Sequence, residues 1–161
     1  MKVLIVSDTH GYDQNFEAAL NQEAPIDALI HCGDIEGSED YFEALAECPV
    51  YMVRGNNDFF SDLPGEMVFE LNGYRIFLTH GHYYGVSMGP EHIMDEGLDR
   101  GVDIVMFGHT HRPLLMQESN ITILNPGSLS FPRQEGRKPS YMVMEIDEKN
   151  NLKFLKKVVD N

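Results

Sequence analysis

The chain has 161 residues and a formal net charge of −14, with a pI near 4.7. That length suits one domain with its own core, spanning residues 1–161, and no apolar run reaches the roughly 18 residues that cross a bilayer. So acidic a surface repels phosphate backbones and anionic lipid, which excludes a nucleic-acid polymer or a membrane as the expected partner.

The N-terminal MKVLIVSDTHG lacks the length and cleavage site of a signal peptide and reads as a first strand, residues 3–6. A cytoplasmic location is the matching expectation. Asp13 is placed to cap a helix with Phe16, Ala19, Leu20 and Ala24 on one face. A strand at 28–30 follows. Ser38 then caps a second helix with Tyr41, Phe42 and Leu45 inward, and Pro49 marks the return to a strand at 50–53. This βαβαβ order favours parallel pairing with right-handed crossovers. Asn72-Gly73, between strands at 67–71 and 74–79, is a hairpin signal. Pro90 opens a helix that Gly101 stops, and a strand at 104–107 comes next. The last third reads as strands at 114–118, 122–125, 140–146 and 153–158, with Asn150-Asn151 at the final turn. A parallel half followed by an antiparallel half predicts two stacked sheets with helices outside. Cys32 and Cys48 show no CxxC spacing and read as small core residues.

The ends of these apolar runs carry the chemistry. Asp8-Thr-His10, Gly33-Asp34, Gly55-Asn56, His80 and Gly108-His109-Thr-His111 each follow a strand. In an extended segment, Asp-x-His and His-x-His place both side chains on one face. Either pair alone is weak, because loop histidines are common. All five groups at strand ends are different: they bring two Asp, one Asn and four His to one sheet rim. That donor set suits two divalent cations bridged by one carboxylate, which is a hydrolytic site. Oxygen and nitrogen donors without thiolate fit Mn²⁺, Fe, Zn²⁺, Ni²⁺ or Co²⁺ rather than Cu(I). Four imidazoles argue against a pure Mg²⁺ or Ca²⁺ site.

The ordered pattern D-x-H, G-D, G-N-x-[DE], H, G-H-x-H resembles the signature of the calcineurin-like metallophosphoesterase superfamily, over essentially the whole chain. IVSDTHG, His31-Cys-Gly-Asp34, Thr79-His-Gly-His82 and Asn125-Pro-Gly-Ser-Leu-Ser-Phe-Pro-Arg133 are similar to its small single-domain phosphodiesterase branch. That branch also holds a non-catalytic relative, the retromer scaffold subunit. The resemblance implies an α/β fold: a four-layer αββα sandwich of two mixed β-sheets flanked by helices. It assigns Asp8, His10 and His111 to one cation, Asn56, His80 and His109 to the other, and Asp34 to the bridge. It implies Mn²⁺ first among the metals. It further implies a phosphodiesterase in which cations about 3.5–4 Å apart hold a bridging hydroxide that attacks a small phosphorylated substrate. The alternative it carries is a protein-binding scaffold that kept the fold without catalysis.

One residue departs from the pattern. Many members carry His directly after the Asn ligand, where it can protonate the leaving oxygen; here that position is Asn57, and an amide cannot be a general acid. His82 is the substitute donor the sequence offers, and Asp58 is expected to orient the loop. Arg54 and Arg133 are candidates for contacting substrate or orienting carboxylates. His31 is expected to support Asp34 or pack in the core, and His92 to lie on the surface. Asn125-Pro-Gly-Ser128 is expected to turn the chain beside the metals. Tyr83, Tyr84 and Phe131 leave apolar surface near these loops, which favours a homo-oligomer or a substrate cleft.

Overall fold

The computed structural model describes residues 1–118 and 120–160. In chain order the elements are β1 (Lys2–Val6), α1 (Gln14–Glu23), β2 (Ala28–His31), α2 (Glu39–Ala46), β3 (Val50–Met52), β4 (Glu66–Leu71) and β5 (Tyr74–Thr79). Two 3-10 turns follow, His82–Tyr84 and Val86–Met88. Then come α3 (Glu91–Asp99), β6 (Ile104–Met106), β7 (Leu114–Gln117), β8 (Thr122–Asn125), β9 (Ser140–Ile146) and β10 (Leu152–Val158). Each expected strand forms, with ends shifted by a residue or so. The 3-10 turns carried no periodic signal in the sequence.

One sheet has the order β10-β9-β1-β2-β3 and the other β4-β5-β6-β8-β7. Both are mixed. Strands β1, β2 and β3 run parallel, with β9 antiparallel to β1. Strands β5, β6 and β8 run parallel, with β4 and β7 antiparallel at the edges. The expected division into a parallel half and an antiparallel half therefore does not form. The last hairpin returns to the first sheet, and β8 joins β6 in parallel. The reason lies in β9, whose residues are buried on both faces except Glu145. A strand that apolar needs cover on both faces, and in the first sheet the second sheet covers Met142 and Met144 while α1 covers Tyr141 and Val143.

Strand alternation builds the layers. Val3, Ile5, Ala28 and Ile30 face Ile76, Leu78, Ile104 and Met106 between the sheets. Their neighbours Leu4, Val6 and Leu29 point the other way, under Phe16 of α1 and Phe42 of α2. Phe77, Val105 and Ile123 pack under Ile93 of α3. Three apolar interfaces separate four layers, the αββα sandwich of two mixed sheets.

The helix faces differ in detail from expectation. Phe16, Ala19 and Leu20 are buried in α1, but Ala24 is an exposed C-cap and Glu23 takes the buried place. In α2, Phe42 and Ala46 are buried while Tyr41 and Leu45 are 41% and 37% exposed. Eight residues leave room for one i,i+4 stripe against the sheet. Neither Asp13 nor Ser38 caps its helix through the side chain. Instead Ser38 Oγ donates to Asp13 Oδ2 at 2.6 Å and ties the two helix starts together.

Glu23 earns its burial through partners. Its Oε1 accepts from Tyr141 Oη at 2.8 Å and from Lys157 Nζ at 2.7 Å, and Oε2 faces Lys2 Nζ at 2.9 Å. Burial pushes this carboxyl up, but Lys157, Lys2 and Tyr141 outweigh it and hold the pKa at about 2. Glu23→Gln keeps the shape and leaves two lysines unpaired. Because both lysines are partly solvated, the expected loss is about 1–2 kcal/mol at pH 7, or about 3–6 °C in Tm. A carboxylate with a lowered folded pKa stabilises above its unfolded value and loses that contribution as pH falls. The gap between wild type and variant should therefore close as pH drops below 4.5 toward about 2. Thermal melts across that range check it; a constant gap would contradict it.

Candidate metal centre

The parallel strands of each sheet end at one edge, and the loops leaving β1, β2, β3, β5 and β6 meet there. Asp8, His10, Asp34, His109 and His111 have φ of 53°, 49°, 59°, 71° and 59°. The extended Asp-x-His and His-x-His geometry expected from the sequence is thus replaced by left-handed turns. Strand β1 stops at Val6 and β6 at Met106, and the chain must turn sharply to aim both side chains of each pair inward. Each such residue costs about 1–2 kcal/mol in backbone energy, and Asp, Asn and His are the types that tolerate it best. The loops hold one another in place. Asp8 N donates to Gly33 O, His10 N to Asp34 O and Gly11 N to Ile35 O, at 3.0, 2.9 and 3.1 Å.

The donor atoms converge. Asp8 Oδ1 lies 3.1 Å from His111 Nε2, 3.6 Å from His10 Nε2 and 3.8 Å from His80 Nε2. Asp34 Oδ2 lies 3.3 Å from His80 Nε2 and 3.7 Å from His10 Nε2. His10 Nε2 and His111 Nε2 are 3.2 Å apart, and Asn56 Oδ1 is 3.1 Å from His109 Nδ1. Two groups have the spacing of a metal site: Asp8, His10 and His111, and Asp8, Asp34 and His80. Adjacent donors about 2.0–2.2 Å from one ion sit roughly 3–3.6 Å apart, and the separations here run from 3.1 to 3.8 Å.

The unpaired atoms mark the centre. Asp8 Oδ2 accepts from Ser7 Oγ at 2.5 Å and from His109 N at 3.1 Å, whereas Oδ1 is buried without a partner. His80 Nδ1 donates to Cys32 O at 2.8 Å, leaving Nε2 buried and unpartnered. His111 Nδ1 likewise faces Phe131 O at 2.8 Å, and His10 Nδ1 faces Glu36 Oε1 at 3.4 Å. Orienting one ring nitrogen with a carbonyl or carboxylate presents the other as a ligand. Orphaned buried polar atoms are costly, and a cation among them satisfies them together. The residues present fit divalent metal.

Charge follows the same pattern. Burial alone would raise the Asp8 and Asp34 carboxyls, but both are lowered, Asp8 by His10, His111 and His80, Asp34 to about 2 by His80 and Asn57. Burial would lower His10 and His80, yet Asp8 and Asp34 raise both, His10 to about 8. His109 and His82 are lowered by burial and by His80.

The profile of the calcineurin-like phosphoesterase superfamily domain matches residues 1–149. The chain belongs to that family. A probable metallophosphoesterase of Bacillus subtilis is 34% identical over 148 residues, covering 91% of this chain and 85% of the relative. A phosphodiesterase of Escherichia coli is 33% identical over 172 aligned positions, covering 91% and 89%. The crystal structure of a predicted phosphoesterase from Streptococcus pneumoniae superposes with a TM-score of 0.79 at 27% identity, covering 97% of each chain.

Around the centre of this calcineurin-like phosphoesterase, further residues fix the loops. Asp58 is buried and accepts from four backbone N–H groups: Gly55 at 2.7 Å, Asp34 and Ile35 at 2.9 Å, and Glu36 at 2.7 Å. Asn57 holds Asp34 directly, its N donating to Oδ1 and its Nδ2 to Oδ2, each at 2.9 Å. Ser128 Oγ donates to Asp8 O at 2.7 Å, and Asn125 Nδ2 donates to Gly108 O and Thr110 Oγ1 at 2.9 Å. A Cβ at Gly55 would lie 2.1 Å from Asp34 Oδ1, and one at Gly108 would lie 2.1 Å from Ser7 Oγ. These two glycines let the loops approach that closely.

The remaining sequence candidates separate. His82 is half-buried, its ring 5.5 Å from that of His80 and 6.0 Å from that of His109, and its Nδ1 has no partner. His31 is buried against Phe42 and its Nδ1 accepts from Gly33 N at 3.1 Å, a support for the Asp34 loop. His92 is exposed. Arg54 donates to Leu63 O at 2.7 Å, while Arg133 borders a cleft beside His10 and His111. Tyr83 and Phe131 are exposed as expected, but Tyr84 turns in to donate to Glu66 Oε2 at 2.5 Å. Ser7, Glu36, Arg112 and Arg137 also border the site and carry no sequence signal, because they lie outside the strand-end donor pattern.

Asp58→Ala tests the clamp. It leaves four loop N–H groups without their acceptor although it removes no metal donor. Stability should fall by about 3–4 kcal/mol, and cation affinity should fall with it. Asp58→Asn, which keeps an acceptor oxygen, should lie between. Melting curves with a cation titration check this, and wild-type values for Asp58→Ala would contradict it.

Proposed function

We propose that this chain is a two-cation phosphodiesterase that hydrolyses small phosphorylated substrates. The observation that carries the reading is the pair of buried, unpartnered donors, Asp8 Oδ1 and His80 Nε2, at the point where the other donor atoms converge. Asp8, His10 and His111 would hold one cation; Asn56, His80 and His109 the other. Asp34 Oδ2 faces His10 on one side and His80 on the other, the place of a bridging ligand. When bound, the cations supply Lewis acidity toward the phosphoryl oxygens and make a water acidic enough to attack near neutral pH. Mn²⁺ is the first metal of this reading, on family resemblance. The phosphodiesterase relative in Escherichia coli supports a diester rather than a monoester. Both cysteines are free, which accords with a reducing cytoplasm. Self-association through Tyr83 and Phe131 is the one protein contact the reading admits.

The protein's own groups set the leaving-group range. Asn57 gives one of its two amide protons to Asp34, so its first task is to hold the bridging carboxylate. Asn57→His would disturb that bond as well as add an imidazole, so it does not isolate proton donation. His82, with Nδ1 unpartnered, is the group free to donate a hydrogen bond to the departing oxygen.

A series of aryl phosphodiesters tests this. Metal-stripped protein should be inactive and Mn²⁺ should restore turnover. The rate should fall as the leaving-group pKa rises, and His82→Ala should cost about tenfold or more on the poorest leaving groups and less on the best. A rate indifferent to leaving group, with His82→Ala unchanged, would overturn the assignment of His82. Absence of turnover with both cations bound would overturn the enzyme and leave the scaffold reading.

A further inference from the structure

In a chain of net charge −14, three of the six arginines stand together. Arg112, Arg133 and Arg137 line one cleft of about 640 Å³ with His10, His111 and Phe131. No carboxylate lines it, and none of the three arginines forms an ion pair among the described residues. Three cations elsewhere are paired, Arg100 with Glu66 and Glu96, and Lys2 and Lys157 with Glu23. The backbone delivers these arginines deliberately. Arg112 follows the ligand His111. Arg133 N donates to His111 O at 3.0 Å, and Arg137 sits at φ 45° in a turn closed by its N bonding Gln134 O at 3.0 Å.

Charge balance decides what the cleft is for. Two divalent cations against Asp8 and Asp34 would leave a net +2, which already exceeds the single negative charge of a phosphodiester. Three more guanidinium groups on the His10–His111 flank exceed what that group needs. Guanidinium forks bind phosphoryl oxygens in pairs. We infer that Arg112, Arg133 and Arg137 form a subsite for a second phosphoryl group of the substrate. The preferred substrate is then a small phosphodiester that carries a further phosphate beyond the scissile one. This rests on the diesterase reading and narrows its substrate class.

The test uses two compounds with one leaving group: thymidine 5′-(4-nitrophenyl phosphate), and the same diester bearing a 3′-phosphate. On Mn²⁺-loaded wild type, the 3′-phosphate should raise kcat/KM by about tenfold or more, mainly through KM. Arg112→Gln, Arg133→Gln and Arg137→Gln should each erode that advantage, and Arg→Lys should restore part of it. A second arm measures binding by calorimetry, with thymidine 3′,5′-bisphosphate against thymidine 5′-monophosphate. The bisphosphate should bind tighter to wild type, and the triple Gln variant should lose the difference. If neither diester is hydrolysed but the binding difference is present and arginine-dependent, the diesterase reading fails and the subsite stands. If the diesters are hydrolysed equally, or the bisphosphate gains nothing in binding, the subsite is overturned.

Discussion

Everything at this site depends on keeping two carboxylates still among imidazoles that face them from several loops. Asp8 and Asp34 are buried, and each presents oxygens to ring nitrogens 3.1–3.8 Å away. Such an arrangement would relax in isolation, since its residues lie in left-handed backbone and several polar atoms are unpartnered. It persists because other interactions over-determine it. The Asp8 loop bonds the Asp34 loop through the backbone, Asp58 gathers four N–H groups beneath Asp34, and Ser128 holds the Asp8 carbonyl. A cation would complete the balance by pairing the remaining donors.

The sandwich supplies the rigid base. Parallel strands of both sheets end at the same edge, so short loops reach a common centre. The cost of the strained turns is borne by the apolar interface between the sheets, where Val3, Ile5, Ile76 and Met106 are fully buried. Function and stability therefore occupy adjacent residues along β1, β3 and β6: apolar at the last strand position, then a metal-type donor within a few residues. The arginine cleft is built from the loops after His111 and after β8, which are joined to the metal-type residues through Arg133 N to His111 O and His111 Nδ1 to Phe131 O.

How much was legible in the sequence follows from these physics. The donors were legible because metal chemistry restricts residue type, and strand ends with glycines restrict position. The strands were legible from their apolar runs and the Asn72-Gly73 turn. The path of the last hairpin was not, because whether β9 and β10 join the first or the second sheet depends on nonlocal packing that no local pattern records. Leu45 and Tyr41 were misassigned to the buried face because an eight-residue helix buries a narrower stripe than its apolar content suggests. The left-handed turns at Asp8 and His111 escaped a strand-period argument. Asn57 was read by its position in the motif, whereas its amide reaches Asp34 through a turn that only the fold defines.

Counting the cations tests the central claim most directly. Protein stripped of metal, loaded with Mn²⁺ and desalted should carry two ions per chain by elemental analysis. Anomalous scattering should place both between Asp8, Asp34 and the four histidines, sharing Asp34. Asp34→Ala should lose the bridge and weaken both ions together. One ion per chain, or a second ion bound away from these residues, would contradict the account.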